Sequence, residues 1–214
     1  MFFYDAHTHT FSLEKNTFSI VNTYPDSTNF SNPFSIGIHP WFINQNKIDE
    51  ELLIIQEKLK LENCFAIGEC GLDKIIKTDF ELQKEVFKKQ VHLSEKYQKP
   101  LIIHCVKAHQ EIIEIKKEIN PNQIWILHGF NKNLQIAESL LKNGIILSFG
   151  EEIINNKKLQ EVVSKIPISS ILVETDTSEL AIEKFYEKIS EVKNINLKDL
   201  QTEIKQNFKN IFKK

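Results

Sequence analysis

The chain has 214 residues, of which 41% are hydrophobic, 26% charged and 10% aromatic, a composition that excludes a disordered protein. The 15 Phe, with abundant Ile and Leu, can fill the core that a chain of this length should bury. The 27 basic and 29 acidic residues leave a net charge of -2, so no global field draws the protein to nucleic acid or to membranes, and phosphate binding must be local.

Short apolar runs recur along the chain and predict eight β-strands. Most are continuous runs of Ile, Leu, Val and Phe, which is typical of strands that are buried on both faces of a parallel sheet. In chain order they cover residues 2–4, 18–21, 34–38, 65–67, 101–103, 124–127, 145–147 and 171–173. This pattern indicates an α/β protein.

Amphipathic stretches predict the helices that connect these strands. They cover residues 48–61, 78–98, 108–118, 131–142 and 157–165, and two more follow residue 178. The stretch 78–98 opens with Thr78 and Glu81 at the spacing of a capping box, and Pro100 marks its end.

The early connections are too short for full crossover helices, because residues 8–36 are rich in Ser, Thr, Asn and Pro. The predicted fold is therefore a compact TIM-type (β/α)8 barrel whose first one or two crossover helices are missing or shortened. A doubly wound open sheet is the alternative, but the glycine-rich turn typical of that fold is absent from the sequence. With no linker or low-complexity segment, residues 1–214 are expected to form a single domain.

Histidines and carboxylates follow directly on several predicted strands. They are His7, His9, His39, Glu69, His104, His128 and Asp176. Because the carboxyl ends of barrel strands open on one face, these side chains are expected to converge. Imidazoles and carboxylates together favour zinc, manganese, iron or a related divalent ion. A single histidine of this kind is as readily a packed imidazole, but five at strand ends predict a metal site.

The cysteines favour reduced thiols in the cytoplasm, because Cys64, Cys70 and Cys105 are odd in number and lack CxxC spacing. A Cys–His nucleophile pair is a rival to the metal site, since Cys70 follows Glu69 and Cys105 follows His104. Alternation along a strand points each thiol away from its neighbour and favours packed thiols. No signal peptide and no membrane segment are expected.

Six motifs resemble the TatD-related metal-dependent hydrolases. They are DAHTHT at 5–10, GIHPW at 37–41, AIGECGLD at 66–73, PLIIHC at 100–105, LHGF at 127–130 and LVETDT at 172–177. The resemblance implies a metal-dependent TIM barrel of the amidohydrolase superfamily, in which several members are deoxyribonucleases. It also implies two divalent ions, such as zinc, manganese or magnesium.

The resemblance implies specific roles for these residues. His7 and His9 share one ion with Asp176, His104 and His128 hold the second, and Glu69 bridges the two. His39 faces the substrate phosphate, and Asp176 accepts a proton from the attacking water. The implied catalytic residues are therefore Asp176, Glu69 and His39.

Two departures from the family reduce the number of residues expected to line the substrate cleft. The sequence reads His104-Cys105-Val106 where the family has an arginine after the cysteine, and a short polar segment follows Asp176 where the family has a long loop. The leading expectation is a hydrolase of phosphoesters, with short or single-stranded DNA as a substrate and no membrane or protein partner. The alternatives are a hydrolase of a small phosphorylated or amide-bearing metabolite, and a metal-binding barrel without turnover.

Overall fold

The computed structural model describes residues 2–12 and 14–212. The chain forms two compact units, which we call the terminal unit (Met1–Ile20 with His128–Lys214) and the central unit (Val21–Leu127). The expectation of a single domain over residues 1–214 stays a prediction.

Parallel strands in chain order form the central unit. The end of β2 (Thr17–Thr23) pairs with β3 (Phe34–Ile36), which pairs with β4 (Cys64–Asp73), then β5 (Leu101–Val106) and β6 (Trp125–Leu127). The helices of this unit are α1 (Ile48–Lys58), α2 (Phe80–Tyr97) and α3 (His109–Ile119). All ten residues of β4 are buried, including Glu69 and Asp73, and its apolar run at 65–67 is typical of an inner strand.

The terminal unit contains three more strands. They are β1 (Phe3–Thr8), β7 (Ile145–Phe149) and β8 (Ile171–Val173). β7 and β8 pair in parallel, and Thr8 at the end of β1 forms a parallel bridge with Asp176. The helices of this unit are α4 (Leu134–Lys142), α5 (Glu152–Asn155), α6 (Lys157–Lys165), α7 (Ile182–Lys193) and α8 (Leu197–Ile211). The buried Tyr186 of α7 holds β1, because its hydroxyl donates to the carbonyl of Tyr4 at 2.8 Å.

These elements confirm the eight predicted strands and the predicted helices, whose ends move by a few residues. The four-residue α5 had no clear periodic signal and was not predicted. The described residues between β1 and β2, and those between β2 and β3, contain no helix, which confirms the missing early crossovers. Among the described residues, no helix combines the length and apolar character needed to cross a membrane.

The capping box predicted for α2 is wrong. The helix begins at Phe80, and the N-cap is Asp79, whose Oδ1 accepts a hydrogen bond from the amide of Leu82 at 2.9 Å. Thr78 lies one residue further out, where its carbonyl accepts from the Gln83 side chain. The carboxylate of Asp79 at the N-cap also interacts favourably with the positive end of the helix dipole.

Asp79→Ala should therefore lower the free energy of unfolding by about 1 kcal/mol, the usual contribution of an N-cap. Thr78→Ala is the matched control and should change it by less than half as much, because its carbonyl contact survives the substitution. Urea denaturation followed by circular dichroism measures both. A larger loss of unfolding free energy in Thr78→Ala than in Asp79→Ala would show that Thr78 caps the helix.

Candidate functional site

The terminal unit brings together four of the predicted residues, which we call the terminal cluster: His7, His9, His128 and Asp176. Ligand atoms of His7, His128 and Asp176 all lie within 4.8 Å of one another. Asp176 Oδ1 is 3.6 Å from His7 Nε2 and 3.4 Å from His9 Nε2. The rings of His7 and His128 are 4.6 Å apart. This spacing is suited to a shared cation.

Backbone pairing fixes the terminal cluster. The amide of Asp176 donates to the carbonyl of His7, and the amide of His9 donates to the carbonyl of Asp176, both at 2.9 Å. Asp176 has a left-handed φ of 52°, which aspartate adopts more readily than most residues. The two histidines are two residues apart at the end of β1, so both side chains lie on the same side of the strand, facing Asp176.

The terminal cluster borders a pocket of about 450 Å³, which Glu174, Asp176, Asn131 and Glu151 help to line. Buried His7 lies at the base of the cluster, whereas the side chains of His9 and Asp176 are about one third exposed. The cluster therefore has buried side chains on one side and access to solvent on the other, an arrangement that would suit an open metal site.

Two buried carboxylates support this cluster and were not singled out from the sequence. Glu174 Oε1 lies 3.5 Å from His128 Nδ1 and accepts the amide of Gly129 at 2.5 Å. Burial raises the pKa of Glu174, but the hydrogen bond and charge of His128 and the charge of His7 outweigh it and leave that pKa below its ordinary value. A carboxylate next to a ligating imidazole fixes its tautomer and orientation.

Asp5 is the second of these carboxylates. Its two oxygens accept hydrogen bonds from the amide and the hydroxyl of Thr175, at 3.0 and 2.7 Å. Burial raises the pKa of Asp5 to about 7, although the Thr175 bonds lower it. A sequence signal exists for both residues, because Asp5 and Glu174 each lie two positions before a predicted ligand and so share its face of the chain.

The central unit brings together the other three predicted residues, which we call the central cluster: His39, Glu69 and His104. Their ligand atoms all lie within 4.8 Å of one another. Glu69 Oε1 is 3.1 Å from His39 Nε2 and 3.0 Å from His104 Nδ1. His39 Nδ1 accepts the amide of Trp41, so the hydrogen of the neutral ring is on Nε2.

Asp73, which was not predicted as a site residue, contacts His104 of the central cluster. Its Oδ2 lies 3.3 Å from His104 Nε2 and accepts the indole N–H of Trp41 at 2.7 Å. Its Oδ1 accepts the amide of Ile75 at 2.9 Å. Burial raises the pKa of Asp73, but these hydrogen bonds outweigh it and leave the pKa below its ordinary value. Asp73 lies four residues after Glu69 on one strand, which places both on the same face.

The backbone of β4 fits closely against β5 at this cluster. A Cβ on Gly71 would lie 2.0 Å from the carbonyl oxygen of His104, and φ of Gly71 is +143°, so only glycine fits there. The amide of Glu69 donates to the side chain of Asn22 at 2.8 Å. These contacts hold Glu69 and His104 within the adjacent strands β4 and β5.

Cys70 is a packed thiol. It is fully buried, and its Sγ donates to the carbonyl of Ile102 at 3.7 Å. Burial, together with the charge of Glu69, raises the pKa of Cys70 well above its ordinary value, which argues against a thiolate nucleophile.

Sequence comparisons extend along almost the whole chain. A family model described as TatD related DNase matches residues 6–213. An "Uncharacterized metal-dependent hydrolase" of Buchnera aphidicola is 36% identical over 69% of this chain and 56% of its own length. The human "3'-5' RNA nuclease TATDN2" is 32% identical over 66% of this chain and 19% of its own length. The chain thus spans little more than half of the first of these relatives and a smaller part of the second.

The fold is shared with a solved structure, that of YJJV, a TatD homolog from Escherichia coli. The two chains superpose with a TM-score of 0.83 over 99% of this chain and 97% of the other, at 20% identity. This likeness confirms the predicted TIM-type α/β barrel class. Taken with the family match and the two histidine–carboxylate clusters, it establishes that the chain belongs to the TatD family of metal-dependent hydrolases.

Proposed function

We propose that the protein hydrolyses phosphoester bonds with two divalent ions and that it acts on short or single-stranded nucleic acid. The observation that carries this proposal is the pair of histidine–carboxylate clusters in a chain of the TatD family. The nuclease named among its relatives supports the choice of a phosphodiester substrate.

The proposed metal ligands are the six residues that the resemblance to the TatD family implies. They are His7, His9, His128 and Asp176 of the terminal cluster, and Glu69 and His104 of the central cluster. The donor chemistry fits a divalent ion such as zinc, manganese or magnesium, because every donor is an imidazole nitrogen or a carboxylate oxygen. Once bound, such ions lower the pKa of water and stabilise charge that develops on phosphate.

Two of the chain's own residues then have separate roles in the reaction. Asp176, which is partly exposed at the pocket, accepts a proton from the attacking water. His39 donates its Nε2–H to the phosphate, because the amide of Trp41 keeps its other nitrogen an acceptor. In the structure that Nε2–H points to Glu69, and a phosphate oxygen would be an alternative acceptor.

A second candidate function is hydrolysis of a small phosphorylated or amide-bearing metabolite. It is favoured by the absence of arginine from the sequence and by the net charge of -2, which give a long polyanion few contacts.

Metal analysis and a substrate panel test the proposal. Protein saturated with Mn²⁺ and then desalted should retain about two ions per chain, the number that six ligands can hold. Glu69→Gln and His104→Ala should each lower that content, whereas the exposed Glu62→Gln should not. The metal-loaded protein should cleave single-stranded DNA or RNA oligonucleotides. Unchanged metal content in both cluster variants would contradict the ligand set, and cleavage of phosphomonoesters or amides alone would favour the metabolite.

A further inference from the structure

Two exposed aromatic side chains lie beside the central cluster without a role in the chemistry above. Trp41 and Phe42 are 56% and 57% exposed, in a short 3-10 turn directly after His39. Isolated exposed apolar residues are common, but here two large rings are adjacent to a histidine proposed to contact phosphate. We call this pair the aromatic ledge.

The ledge is held in place by the cluster itself. The indole of Trp41 donates to Asp73, and its ring lies edge-on to His39, at 5.2 Å, and to His104, at 5.8 Å. The ring of Phe42 is 5.5 Å from His39 and packs edge-on against Tyr24 at 5.3 Å. Rings that are already oriented lose little conformational entropy when a planar ligand stacks on them.

A pocket of about 350 Å³ opens beside Phe42. Its lining includes Tyr24, Phe42 and His39 and the carboxylates of Asp26 and Glu51, and Lys47 is the one lysine among the described residues that line it. Two carboxylates against a single lysine disfavour a second phosphate. They suit instead the planar heterocycle of a base, whose ring or amino N–H groups can donate to carboxylates.

We propose that the aromatic ledge stacks the base of the nucleotide whose phosphate His39 contacts. This inference rests on the proposed function and adds that the substrate must carry bases. Stacking does not depend on a basic surface, so it can supply the affinity that a chain without arginine and with a net charge of -2 lacks.

Two hexamers with hydrolysis-resistant phosphorothioate linkages test the inference: oligothymidine and an abasic chain of the same charge. Fluorescence anisotropy with metal-loaded protein should show about 5- to 150-fold tighter binding of oligothymidine, the range that one stacked base contributes. Oligothymidine should also quench tryptophan fluorescence. The chain has two Trp and Trp125 is fully buried, so the change reports on Trp41.

Substitutions of Trp41 distinguish stacking on the base from the hydrogen bond that its indole donates to Asp73. Trp41→Leu removes the aromatic ring and should weaken oligothymidine binding by about 5- to 150-fold, while binding of the abasic hexamer stays unchanged. Trp41→Phe loses the hydrogen bond to Asp73 but keeps a ring, and should bind oligothymidine within a few-fold of wild type. Phe42→Leu is a second test of the ledge, and Phe2→Leu, at a 45% exposed aromatic of the terminal unit, is the control. Thermal melts establish that each variant is folded.

Equal binding of the two hexamers by the wild-type protein would overturn the inference. So would equal losses in Trp41→Phe and Trp41→Leu, which would assign the effect to Asp73. The proposed function fails differently, by an absence of cleavage of ordinary phosphodiester chains, with or without bases.

Discussion

Asp176→Asn should lower kcat for phosphodiester hydrolysis by about 10²- to 10⁴-fold, the usual contribution of a general base. Asparagine keeps the size of the side chain, but its amide cannot accept the proton of the attacking water. The rate is to be measured at saturating Mn²⁺, because Asp176 Oδ1 also lies within 3.6 Å of two proposed histidine ligands and its loss should weaken metal binding.

The exposed Glu203→Gln on α8 is the control for this measurement and should leave kcat unchanged. A kcat for Asp176→Asn within twofold of wild type at saturating metal would show that another group accepts the proton.

Asp73→Asn should weaken the binding of a divalent ion by about 10- to 100-fold, the effect typical of losing a carboxylate that orients a ligating histidine. Asp73 Oδ2 faces His104 Nε2 at 3.3 Å, which directs the hydrogen of that ring to Nε2 and leaves the lone pair of Nδ1 to bind a metal ion on the side of Glu69. An asparagine amide at this position interacts more weakly with the ring and no longer fixes its tautomer.

Calorimetric titration of metal-stripped protein with Mn²⁺ measures this affinity. Trp41→Phe removes the indole hydrogen bond to Asp73 but keeps the carboxylate, so it is the matched control and should lose far less affinity. If the two variants bind Mn²⁺ equally well, and as tightly as wild type, Asp73 does not position His104.

The arrangement of secondary structure could be predicted because its signals are local. A parallel strand that is buried on both faces favours a continuous apolar run, and most of the eight strands have one. The same regularity located the seven predicted site residues, since each follows closely on such a run or lies within its extension. The missing early crossovers were readable for the same reason, because a segment rich in Ser, Asn and Pro cannot form a long amphipathic helix.

Roles that depend on residues distant in the chain were not readable. Asp5 is bound to Thr175, 170 positions away, and Glu174 lies against His128. Their two-residue spacing from a predicted ligand is visible in the sequence, but the local pattern does not show which residues they bind, because those partners come from packing. Even the nearby choice between Thr78 and Asp79 as the cap of α2 depended on which backbone the helix adopted.

The sequence by itself thus determined the strands, most helices and the residue types available for metal binding, because periodicity and strand ends are properties of short segments. Only the tertiary structure decided which side chains meet. It selected Asp73 as the partner of His104 and left the rings of Trp41 and Phe42 exposed beside His39. Contacts of this kind depend on how separate segments pack, and their hydrogen bonds and desolvation exist only after folding.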